Sequence, residues 1–159
     1  MKRNLTALIV FGIAFGFVEA AVVFYLRLLL GYNLNYPLGN YQVLFSSNFI
    51  SFITTKTPIL GTLQIARAEI IREVTTILML GSVAYLSAKK LKQRFGAFLI
   101  AFALWDIFYY VFLKLLTGWP TSVFNTDIYF LIPVPWIGPV ITPLSVSVIL
   151  FIWGTLIYI

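Results

Sequence analysis

Five residues of this 159-residue chain are acidic, and four of them, Glu19, Glu69, Glu73 and Asp106, fall inside long apolar runs. The fifth, Asp127, lies in a short connecting segment. An acid at the centre of a bilayer costs about 2.5–3.5 kcal/mol on insertion scales, so each one inside a span must be paired, solvated or functional. On a helix, Glu69, Arg72, Glu73 and Thr76 stand at i, i+3, i+4 and i+7 and share one face, with Arg72 in reach of either glutamate. Asp106, Tyr110 and Lys114 lie four apart on another helix, with Tyr109 beside them. Gly12, Gly16, Glu19 and Val23 form a further face, whose Gly-x-x-x-Gly pair admits close approach of a neighbouring helix.

The chain has neither Cys nor His. That excludes disulfides, thiolate chemistry, zinc sites of the His/Cys kind, axial-His haem and every Ser–His or Cys–His mechanism from this chain alone. Carboxylates without His or Cys suit a hard divalent cation such as Mg2+, Ca2+ or Mn2+. Glu19, Glu73 and Asp106 are therefore the expected metal ligands or proton carriers, with Arg72 as their internal counter-charge. Tyr110, Tyr109 and Glu69 complete the expected ligand-binding set. No phosphate-binding glycine loop, metalloprotease helix or nucleophile elbow is present, and Glu-x-x-Arg-Glu is only weakly specific, so no catalytic residue is assigned. A structural reading uses the same residues. Four bases (Arg27, Arg67, Arg72 and Lys114) match the four acids, and such pairs can fix helix register. On that reading Arg67 and Glu69 sit at the interface, and Arg27 and Lys114 extend to it along their apolar stems.

These residues need elements to hold them. Hydrophobic residues make up 61% of the chain, aromatics 18% and charged residues 10%, against roughly 25% charged in an average soluble domain. A single domain of this size cannot bury so much apolar surface in its own core, so the solvent must be lipid. The expected fold is an all-α integral membrane protein, one four-helix domain over 1–159 with spans at about 5–30, 68–88, 95–118 and 137–158. Met1-Lys2-Arg3 before an apolar run also resembles a signal peptide with a cleavage site at Val18-Glu19-Ala20. The run continues to Leu30, longer than a signal core, which favours an uncleaved first helix. Lys2 and Arg3 flank the first span, and Lys89, Lys90, Lys92 and Arg94 lie between the second and third. The positive-inside rule puts both termini and that loop in the cytoplasm of a multi-pass cell-membrane protein.

The two outer connections, 31–67 and 119–135, are unusually apolar. Tyr41–Ile53 is too short to cross and is expected as an interfacial helix or a re-entrant segment. The prolines at 133, 135, 139 and 143 make the first part of 130–143 extended or turn-like, and whether 130–139 enters the bilayer stays open. A rise of about 1.5 Å per residue sets Glu19 roughly 22 Å and Asp106 roughly 16 Å above the inner ends of their helices, and Glu73 roughly 8 Å below the outer end of its own. The three acids thus reach similar depths in the outer half of a ~30 Å core.

Three functions fit. The leading one is binding or translocation of a cation, proton or small polar solute, by a homo-oligomer because four helices are few for a carrier. The second is an enzyme acting on a lipid or polyprenyl substrate at the outer leaflet, with Arg72 and Arg67 holding its head-group. The third is an accessory subunit covered by other membrane subunits. The net charge of +6 is no nucleic-acid signature, because the excess sits at the ends of apolar segments and not along one polar face.

Overall fold

The computed structural model describes residues 2–31, 41–56 and 58–159. Four helices, α1 (Lys2–Leu29), α2 (Leu63–Ser87), α3 (Leu91–Thr117) and α4 (Ile141–Tyr158), carry most of the chain. Each includes a stretch long and apolar enough to cross a membrane. The boundaries differ from the sequence expectation where local chemistry intervenes. Thr62 caps α2, its hydroxyl accepting from the Ile65 amide at 3.3 Å, so that helix begins at Leu63 and not near Ala68. Lys92 and Arg94 belong to the first turn of α3, which leaves only a short break after Ser87. Gly118, at φ 74°, ends α3 in the left-handed conformation that glycine adopts without penalty.

The fold is not all-α. Four strands, β1 (Tyr41–Ser46), β2 (Ser51–Thr55), β3 (Thr126–Phe130) and β4 (Trp136–Pro139), form one antiparallel sheet in the order β1-β2-β4-β3. Tyr41–Ile53 is therefore neither an interfacial helix nor a re-entrant segment but most of a hairpin. Its β-branched and aromatic residues suit a pleated surface, and Ser47 turns the chain by accepting from the amides of Phe49 (3.3 Å) and Ile50 (3.1 Å). A lone hairpin is marginal; pairing of Ser51 with Ile137 and Phe52 with Trp136 joins it to the second hairpin. The join requires Gly138, because a Cβ there would lie 2.4 Å from the Phe49 carbonyl oxygen and 2.5 Å from the Tyr129 hydroxyl. As Trp136–Pro139 is strand, α4 starts at Ile141 and not at 137.

Helix α3 is the centre of the bundle, packed on α1, α2 and α4, whereas α1 and α2 meet over a short stretch only. Its neighbours approach through glycines. A Cβ on Gly16 would be 2.8 Å from the Trp105 carbonyl oxygen, so α1 rides directly on the α3 backbone. Gly96 and Gly154 face each other across α3 and α4, and a Cβ on either would lie 2.7–2.8 Å from the other's carbonyl oxygen. At the end away from the sheet, Asn4 donates to the Ser87 carbonyl at 3.0 Å and Gln93 to the Tyr158 carbonyl at 3.4 Å. The start of α1, the basic α2–α3 corner and the end of α4 thus gather at one end, and the sheet covers the other.

These contacts predict opposite outcomes at two helical glycines. Gly154→Val overpacks the α3–α4 crossing and should cost about 1–3 kcal/mol or more. Gly81→Ala adds a methyl with no atom within 4 Å and should be neutral or stabilising by up to about 1 kcal/mol. Thermal unfolding of the two variants in mild detergent separates them; equal behaviour would contradict the close crossing.

Candidate functional site

The spacing of Glu69, Arg72 and Glu73 has the consequence expected of it, and a second helix joins them. The Arg72 guanidinium donates from Nε to Glu69 Oε2 at 2.8 Å and pairs through Nη2 with the same oxygen at 2.7 Å. Its Nη1 pairs with Glu19 Oε1 on α1. One arginine is thereby shared by two buried carboxylates from two helices. Glu69 is buried, being only 7% exposed.

Glu73 turns elsewhere. Both of its carboxylate oxygens accept from the backbone amide of Leu131, at 3.0 and 2.9 Å, which pins the segment after β3 to α2. Asp106 stays apart from both glutamates and accepts from the Ser147 hydroxyl on α4 at 2.8 Å. Neither Glu73 nor Asp106 makes a salt bridge among the described residues. Similar depth did not bring the three expected metal ligands together: Glu19 faces Arg72, Glu73 the Leu131 amide and Asp106 the Ser147 hydroxyl. Among the described residues no group of three or more carboxylates could hold a metal ion.

Tyr110 is a hydrogen-bonding wall, as its position on the Asp106 face implies, and its partner is the acid that the sequence reading left in a loop. Its hydroxyl donates to Asp127 Oδ2 at 2.9 Å. Asp127 is in β3, and burial pushes its carboxyl up to about 6 despite the opposing influence of the Tyr110 hydroxyl and of Arg27. Arg27 packs inside the protein. It is 7% exposed, its guanidinium carbon lies 4.3 Å from the Trp119 ring centroid, and its Nε and Nη1 are buried without a hydrogen-bond partner among the described residues. Tyr129, also in β3, donates to the Pro139 carbonyl at 2.6 Å, and burial pushes its hydroxyl up to about 12. Arg67 and Lys114 are exposed, and Lys114 donates to the Pro120 carbonyl at 2.5 Å.

Glu19, Arg27, Arg72, Tyr110, Tyr129 and Ser147 are among the residues around one cavity of about 250 Å³ beneath the sheet, which Arg67 and Lys114 do not line. Every acidic residue of the chain lines it, together with Arg27, Arg72, Tyr109 and Tyr110. Trp105, Tyr129, Phe130 and Trp136 add aromatic walls, and the indole N–H of Trp136 is buried without a hydrogen-bond partner among the described residues. The sequence reading assembled Glu19, Glu69, Arg72, Glu73, Asp106, Tyr109 and Tyr110 around this space but missed Asp127, Arg27, Ser147 and the Leu131 amide. The one readable signal for Asp127 was that it is the only acid outside the helical runs. An arginine close to the end of an apolar run reads as an interfacial residue, and a serine or a backbone amide gives no signal at all. No protein-family model, characterised protein or solved structure matches the chain.

The shared arginine and the buried aspartate each predict a measurable effect. Arg72→Gln leaves Glu19 and Glu69 facing each other without their cation and should cost about 3–5 kcal/mol in detergent unfolding. Adding Glu19→Gln and Glu69→Gln should restore a large part of that loss. For Asp127, the folded carboxyl titrates at about 6 against an ordinary value of 3.8, so the folded chain binds this proton more tightly than the unfolded chain. The charge penalty is present above about 6 and is relieved as the pH falls towards 3.8. The wild type should therefore gain stability relative to Asp127→Asn between pH 7 and pH 4. A pH-independent difference in unfolding temperature would mean that the Asp127 charge is already compensated.

Proposed function

We propose that the protein is a multi-pass cell-membrane protein that binds, and in its working cycle translocates, a small cationic solute in the cavity beneath the sheet. The observation that carries this reading is that Glu73 and Asp106 face an aromatic-walled cavity with hydrogen bonds from Leu131 and Ser147 but no salt bridge among the described residues. A carboxylate in such a wall favours a positive charge, and the ring faces of Trp105, Tyr129, Phe130 and Trp136 attract the same charge through their quadrupoles. Carboxylate and aromatic ring together suit an ammonium whose substituents are apolar. Arg72 does not compete for this role, because Glu19 and Glu69 already occupy its guanidinium. The basic end of the bundle is cytoplasmic by the positive-inside rule, which puts the sheet and cavity on the outer side. The working unit is a homo-oligomer: α4 turns Val148, Ile152 and Leu156 outward, an apolar face for lipid or a second copy.

Calorimetry on the purified protein in mild detergent tests the reading with benzyltrimethylammonium and its uncharged isostere neopentylbenzene. The cation should bind and the isostere should not. Glu73→Gln and Asp106→Asn should each weaken binding about tenfold or more, equivalent to about 1.4 kcal/mol, with unfolding temperatures close to wild type. Equal binding of the uncharged isostere would sink the proposal.

A further inference from the structure

Among the described residues Arg27 is the charge lining the cavity that has no hydrogen-bond acceptor for two of its buried nitrogens. Glu19 and Glu69 share Arg72, Asp106 has Ser147, Glu73 has the Leu131 amide and Asp127 has the Tyr110 hydroxyl. The Arg27 guanidinium has a ring over one face and two buried nitrogens with no acceptor among the described residues. A buried donor left without an acceptor is destabilising, and more so when the group is charged. Trp119 offsets part of that cost through its ring face, but a ring accepts no in-plane N–H. Asp127 is close enough to be influenced by the Arg27 charge, yet it makes no salt bridge with it, and it accepts instead from the Tyr110 hydroxyl and the Ile128 amide. Arg27 is thus a cation held in the cavity wall with donor capacity that the described residues leave unfilled.

We propose that Arg27 anchors an anionic group, a carboxylate or a phosphate, of the ligand whose cationic part is held by Glu73 and Asp106. The ligand is then a zwitterion with both charges in one cavity. This rests on the cation-binding reading above and adds a second recognition element to it. Arginine suits the role because its charge persists at any working pH and its planar donors match carboxylate and phosphate oxygens. Arg72 lies on α2 with its donors committed to Glu19 and Glu69, so the anionic group is expected at the α1 side of the cavity, beside Trp119. The shared chemistry, an ammonium and an oxyanion in one molecule, occurs both in free solutes and in zwitterionic lipid head-groups.

The test compares 4-(trimethylammonio)butyrate with its methyl ester, which keeps the cation and removes the anion, by calorimetry on the full chain in mild detergent. The acid should bind the wild type about tenfold or more tightly than the ester. Arg27→Gln should abolish that preference, and Arg27→Lys should keep part of it. Binding of benzyltrimethylammonium retained in Arg27→Gln shows that the variant's cavity is intact. Acid and ester binding equally to the wild type, or a preference that survives in Arg27→Gln, would overturn the anchor and leave the cation reading standing. Binding of benzyltrimethylammonium but of neither butyrate compound would do the same. If none of the three binds, the cation reading falls and this inference falls with it. A second pair, glycerophosphocholine and dihexanoylphosphatidylcholine, identifies the source. Arg27-dependent binding of the glycerol compound supports a free solute, and Arg27-dependent binding of the lipid alone supports a head-group. Binding of either that is indifferent to Arg27→Gln counts against the anchor.

Discussion

One guanidinium sets the geometry of the sheet end of the bundle. Arg72 pairs with Glu69 on its own helix and with Glu19 on α1, and these two helices otherwise meet over a short stretch only. Breaking a buried ion pair leaves an uncompensated charge and is strongly destabilising, so the pairing fixes the rotation of α2 about its own axis. Glu73 is on the same face as Glu69 and Arg72. Once that face is turned towards α1 and the cavity, Glu73 has to end near the same space. There it accepts from the Leu131 amide with both oxygens and ties the second hairpin to the helices. The cavity thus depends on an ion contact that lies at its edge.

The sheet is held to the bundle by rings as well as by this carboxylate. Phe52 meets Trp136 at 5.3 Å between centroids, Trp136 meets Phe130 at 6.0 Å, and Phe130 meets Trp105 on α3 at 6.3 Å. Trp105 continues to Phe102 at 5.3 Å and Phe102 to Phe98 at 6.1 Å. The row runs from β2 into the middle of the central helix, at separations where offset and edge contacts between rings are favourable. Both hairpins pair their backbone groups within one sheet, which an isolated apolar loop of the same composition could not do. Pairing across the sheet satisfies much of the backbone of the inner strands β2 and β4 where these apolar segments cover the polar cavity.

Helix number and approximate limits were legible in the sequence because hydropathy over a whole span outweighs any local irregularity. The Glu69–Arg72–Glu73 face was legible because helical spacing is a local property. What failed was every inference needing the azimuth of one helix against another. Depth alone put Glu19, Glu73 and Asp106 at one level, but Asp106 turns to α4 and Ser147 and not to the other two acids. The sheet failed for a related reason. Its central pairing joins Ser51 and Phe52 to Ile137 and Trp136 across two intervening spans, and no local pattern in either segment encodes the other. Gly138 was the nearest thing to a signal, and its role appears only when Phe49 and Tyr129 are seen against it.

The five acids divide by what balances them, and the division bears on why the chain keeps so many. Glu19 and Glu69 have the Arg72 guanidinium and hold two helices together, a task for which one arginine and two carboxylates suffice. Glu73, Asp106 and Asp127 make no salt bridge among the described residues and accept hydrogen bonds from an amide, a serine and a tyrosine. Neutral donors stabilise a carboxylate less than a cation at the same distance. For positioning alone, glutamine or asparagine could accept the same hydrogen bonds without the cost of a buried charge. Selection for stability alone would favour those amides. Three carboxylates kept around one cavity, opposite an arginine whose donors are also unfilled, are what a chain needs if charges arrive from outside it.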